Sequence, residues 1–73
     1  MTDRDVRAML RGAVAAKVIV GWYWYGFGAL IRYVVHAGAS NTVTHDRDAI
    51  VAYCGMLRDA GVEPLYREPG LAT

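Results

Sequence analysis

The fourteen residues from Val18 to Ile31 carry no charge, yet they hold both tryptophans, two of the five tyrosines and the only phenylalanine. Gly21, Gly26 and Gly28 interrupt the run. A stretch of this kind leaves two solutions. Folded back on itself it is an aromatic β-hairpin that needs a cover; continued as one helix from about 13 to 35 it is long enough to span a bilayer, which takes about 20 residues. The residue types favour the hairpin, because β-branched and aromatic side chains suit strands. A membrane helix would also put Trp22 to Tyr25 near mid-bilayer, whereas Trp and Tyr prefer its interfaces.

In a hairpin, Gly26-Phe27-Gly28 reads as a three-residue loop, with strands from Lys17 to Tyr25 and from Ala29 to His36. Pairing Tyr25 with Ala29 sets Trp22 opposite Arg32, and Trp24 opposite Leu30. The guanidinium of Arg32 then stacks on Trp22, and the ring of Tyr33 covers the gap at Gly21.

Helical spacing flanks this segment on both sides. Before it, Thr2 is placed to accept from the Asp5 amide, Asp3 and Asp5 favour the positive end of a helix dipole, and Val6, Met9, Leu10, Ala13 and Val14 recur at helical intervals. Gly12 either weakens this helix or admits another backbone at close range. After it, small and polar residues from Gly38 to Thr42 read as a connecting loop. Thr44 or Asp46 then caps a second helix with the stripe Ile50, Tyr53, Cys54 and Leu57, closed by Gly61 with Val62 behind it. Val62 to Arg67 reads as a strand that Pro64 confines to an edge.

The expected architecture is α+β in a single small domain of order α-β-β-α-β. It comprises a helix over 1–16, a hairpin over 17–36, a helix over 44–60, an edge strand over 62–67 and a tail over 68–73. With 73 residues there is room for one small core, and a hydrophobic fraction of 55% is more than such a core absorbs. A second copy or a permanent partner is the natural home for the surplus.

Few chemistries fit the remaining residues. Eight basic and seven acidic side chains leave a formal charge of +1, which gives no field for nonspecific binding to nucleic acid or anionic lipid. The single cysteine, Cys54, rules out an internal disulfide framework and suits a reducing, cytoplasmic setting. It falls on an apolar stripe, where a free thiol packs as a hydrophobe rather than serving as a nucleophile. His36, His45, Asp46, Asp48 and Cys54 are zinc-ligand types, but no pair has the spacing that a short loop or one helix face requires, so no metal or other cofactor is expected. Gly26-Phe27-Gly28 lacks the third glycine of a dinucleotide fingerprint, Ile31 standing in its place. Seven arginines against one lysine, with abundant Ala, Gly, Val and Asp, suit GC-rich coding of a bacterial or phage kind.

The expectation for function is therefore a non-enzymatic interaction module that binds another protein or itself. Its candidate partner-binding residues are Trp22, Trp24 and Arg32, with Tyr23, Tyr25 and Phe27, because Trp, Tyr and Arg dominate interface energetics. A second reading on the same face is single-stranded nucleic acid, with bases stacked on Trp22 or Trp24 and phosphates meeting Lys17, Arg32 and His36. The membrane helix is the remaining alternative.

Overall fold

The computed structural model describes residues 1–65. Two helices, α1 (Asp3–Ala15) and α2 (Arg47–Asp59), flank three strands in the chain: β1 (Gly21–Tyr25), β2 (Arg32–Gly38) and β3 (Asn41–His45). The strands form one antiparallel sheet in the order β1-β2-β3. The α+β class is as expected, but the element order is α-β-β-β-α.

Local chemistry explains both helix starts. Thr2 and Asp5 exchange hydrogen bonds in a capping box, Thr2 Oγ1 accepting from the Asp5 amide at 3.2 Å and Asp5 Oδ2 from the Thr2 amide at 3.0 Å. Asp46 caps α2 by accepting from the Ala49 amide at 2.8 Å. Both helices close with the same paired bonds but different residues. After α2, Gly61 takes the left-handed conformation (φ 92°) and Val62 donates to Leu57 O, burying its side chain in the core. After α1 the left-handed position falls on Lys17 (φ 62°), with Lys17 donating to Val14 O and Val18 to Ala13 O. That turn consumes residues assigned from sequence to the first strand, which begins at Gly21 instead.

The third strand is the main correction. Gly38 to Thr42 is not a loop: a tight turn at Ala39-Ser40 joins β2 to β3, with Gly38 opposite Asn41 and an irregularity between His36 and Gly38. The alternation Thr42-Val43-Thr44 suits a pleated edge despite its polarity. The strand expected over 62–67 is absent at residues 62–65, which run irregularly across α1, and residues 66 and 67 lie outside the described residues, as does the tail over 68–73. Leu65 donates to Ala8 O at 2.8 Å, and a Cβ on Gly12 would overlap the Glu63 carbonyl oxygen. Gly12 is thus the point of close backbone approach that its place in an otherwise sound helix foreshadowed.

No helix among the described residues is long and apolar enough to cross a membrane, and Ala13 to Val35 divides into a helix end, a turn and two strands. The single-span alternative is therefore overturned. Both helices pack on the same side of the sheet. Val6, Met9, Leu10 and Ala13 of α1 meet Ile50, Cys54 and Leu57 of α2 over Tyr33 and Val35 of β2, with Ile19, Ile31 and Val62 closing the margins.

Candidate functional site

The hairpin register decides which aromatic residues share a face. Gly21 pairs with His36, Trp22 with Val35, Tyr23 with Val34, Trp24 with Tyr33 and Tyr25 with Arg32. This is three residues away from the register expected from a Gly26-Phe27-Gly28 loop. The connection is longer, because Gly28–Leu30 forms a 3-10 turn in which Leu30 donates to Phe27 O at 3.1 Å. Gly26 enters it at φ 80°, where a Cβ would sit 2.6 Å from Leu30 O. An odd shift exchanges the faces of one strand relative to the other. Trp22 and Trp24 therefore lie on the side of Tyr33 and Val35, towards the helices, and not with Arg32.

Trp22 is half-buried and packs against the core. Trp24 is more open, and the guanidinium of Arg7, on α1, lies 5.6 Å from its ring centroid. The expected Arg32–Trp22 stack is thus replaced by an Arg7–Trp24 contact from the helix, while Arg32 donates to Ile31 O at 2.9 Å. Gly21 lies opposite His36 rather than under Tyr33.

The other side of the sheet has no helix over it. It carries Tyr23 and Tyr25 from β1, Arg32, Val34 and His36 from β2, and Thr42 and Thr44 from β3. Tyr23 and Tyr25 are 52% and 51% exposed, with ring centroids 6.4 Å apart. The Tyr23 ring also lies 5.8 Å from that of His36, whose Nδ1 is hydrogen-bonded with Thr42 Oγ1 at 2.9 Å. At the end of the hairpin Phe27 is 83% and Leu30 70% exposed. Of the six residues singled out from sequence, the fold thus places Tyr23, Tyr25 and Arg32 on the open face, Phe27 at its tip, Trp24 at its margin and Trp22 against the core. Leu30, Val20 and His36 add to the surface and were not singled out; the uncharged run around Leu30 and Val20 was the available signal.

The reactive side chains are occupied structurally. Cys54 is a free thiol, fully buried, and burial pushes its pKa up to about 11, so it stays protonated and non-nucleophilic near neutrality. His45 stacks on Tyr53 of α2 at 5.2 Å. Among the described residues, no three His, Cys, Asp or Glu side chains gather where they could hold a metal ion. Asp3, expected only to favour the helix dipole, also joins three parts of the fold. Its Oδ1 accepts from the Tyr33 hydroxyl at 3.1 Å and its Oδ2 from Arg47 Nη2 at 3.0 Å, while the same Arg47 nitrogen donates to Gly28 O at 3.3 Å. Burial, then the hydrogen bond to Asp3, raises the Tyr33 phenol pKa. This arrangement fastens the starts of α1 and α2 to the hairpin connection.

In comparisons with known proteins, no family model matches this sequence, and no curated protein or solved structure matches it.

Proposed function

We propose that the protein is a small non-enzymatic interaction module that binds another protein or a second copy of itself through the aromatic hairpin. One observation carries the reading: both helices cover the same side of the sheet, leaving Tyr23, Tyr25 and the hairpin tip at Phe27 and Leu30 in solvent. Exposed apolar surface of this extent on a small domain is characteristic of an interaction site, and tyrosine suits one by offering a rigid ring with a polar tip. Arg32 and His36 supply polar contacts at the rim, and the buried, protonated thiol of Cys54 belongs to the core. A free cysteine in that state fits a reducing, cytoplasmic setting.

The test is affinity purification of tagged wild type and of the Tyr23→Ser/Tyr25→Ser/Phe27→Ser triple variant from the native cell. The expected result is a partner, or untagged copies of the chain, retained by wild type and lost by the variant at unchanged far-UV circular dichroism. Equal retention by both would refute the reading.

A second reading is favoured by the meeting of Tyr23 and Tyr25 with Arg32 and His36 on one open face, which offers rings for stacking bases beside a cation. The near-neutral charge weighs against it, since phosphate contacts come largely from Lys and Arg. Oligonucleotide binding that weakens steeply with added salt, and that Tyr23→Ser abolishes, would promote it over the protein partner.

A further inference from the structure

β1 and β3 are the two edges of the sheet, each with a row of backbone donors and acceptors on its outer side. Natural edge strands are commonly guarded by charge, proline or a bulge. β3 carries the polar side chains Asn41, Thr42, Thr44 and His45, with His45 held against α2 by Tyr53. β1, Gly-Trp-Tyr-Trp-Tyr, has no charge and no proline, and no charge precedes Arg32 on the hairpin.

We propose that β1 is a dimerisation edge, to which a second copy of this chain adds its own β1 antiparallel, with the two-fold axis passing beside Tyr23. The proposal rests on the interaction-module reading and names the occupant. Three observations favour a second copy over a foreign strand. The first is self-complementarity, which a two-fold interface demands because each contact is made twice. Centred on Tyr23, the pairing sets Trp22 against Trp24 of the second copy and Tyr25 against Gly21, so that a tyrosine ring covers each glycine gap. It also carries the tip at Phe27 to the Val18–Val20 stretch of the second copy, where Val20 is 70% exposed. The second is charge: two identical surfaces meet without like-charge repulsion only where they are neutral, as Val18 to Ile31 is.

The third observation is area. Taking about 150–250 Å² for a whole aromatic side chain, the exposed fractions of Tyr23, Trp24, Tyr25 and Phe27 come to roughly 450 Å². Val18, Val20, Leu30 and the strand backbone extend this towards the ~800 Å² per partner of a stable interface. The product is a six-stranded antiparallel sheet in which both hydrophobic hairpins lose their free edge.

Sedimentation equilibrium of the purified full chain over a wide concentration range tests this, together with single-cysteine crosslinking. Wild type is expected to be a dimer. Tyr23→Lys, which sets two ammonium groups across the axis, and Phe27→Asp are each expected to weaken dimerisation about tenfold or more while the thermal midpoint of the monomer stays unchanged. Under mild oxidation Tyr23→Cys is expected to crosslink to itself, whereas Val43→Cys on β3 stays uncrosslinked. A wild type that is monomeric throughout the range overturns the proposal, as does a dimer unaffected by Phe27→Asp or one that crosslinks through position 43. If the wild type is monomeric but the hairpin triple variant still loses a captured protein, the interaction-module reading stands and only the second copy is rejected.

Discussion

On the helix side of β2, Tyr33 and Val35 are shut off from water by α1 and α2, elements that lie at opposite ends of the chain. On the other side Arg32 and His36 stay half-buried, and only Val34 is closed in, between Tyr23 and Thr44 on the neighbouring strands. The same seven-residue strand thus has one face whose burial depends on the whole fold and one whose burial is supplied by its nearest cross-strand neighbours. Substitutions on the first face should register in stability, and substitutions on the second in association.

Truncation of the shared core gives the largest expected effect. Ile50→Ala should cost about 2–5 kcal/mol, enough to unfold much of a domain this small, and chemical denaturation checks it. Gly12→Ala follows. The methyl group meets the Glu63 carbonyl, so despite the better helix propensity of alanine the variant should lose roughly 2–3 kcal/mol, with the loss traced to residues 62–65 by hydrogen exchange. Trp22→Ala should also destabilise, by about 2 kcal/mol, because its ring packs on the covered side. Tyr23→Ser and Tyr25→Ser should each stay within about 0.5 kcal/mol in stability while weakening binding. If the Trp22 and Tyr23 variants behaved alike in both assays, the division between the faces would fail.

Alkali probes the covered side alone. The Cys54 thiol ionises near 9.0 in an unfolded chain and near about 11 when folded, so between those values the folded state holds the extra proton. Stability should therefore be intact below pH 9 and fall as pH rises through about 11, by roughly 2–3 kcal/mol, while Cys54→Ala removes that part of the slope. Urea unfolding across this range supplies the comparison. The smallest expected effect is a gain. Lys17→Gly relieves a left-handed conformation that costs a side chain about 1 kcal/mol, raising the thermal midpoint by a few degrees without changing association.

Much of this arrangement was legible from residues alone. The caps at Thr2 and Asp46, the stripe of α2, the Gly61–Val62 closure and the special place of Gly12 each follow from short-range chemistry. What failed was judged by type where geometry ruled. Thr42-Val43-Thr44 was read as loop because it is polar, although its β-branched alternation marks a strand. The hairpin register failed because two glycines in a three-residue frame suit a tight loop, while the 3-10 turn at Gly28–Leu30 lengthens the connection. That error carried into the candidate surface. An aromatic surplus was expected and is present, but the register places Tyr23 and Tyr25 with Arg32 where Trp22 and Trp24 were expected. The fastening of Asp3 to Tyr33 and Arg47 joins residues 30 and 44 positions apart, and no local pattern announces it.

The crossing of residues 63–65 over Gly12 also has a kinetic meaning. The bond from Leu65 to Ala8 closes a loop that contains nearly the whole domain, so it contributes only after the sheet and both helices have brought the chain ends together. This strap should be the last part to lock during folding and the first to open in native conditions, its amide exchanging well ahead of those in β2. Sub-global opening would bare the groove at Gly12 while the sheet and its exposed tyrosines stay formed. The protein's stability and its capacity to associate would then be governed from opposite ends of the molecule.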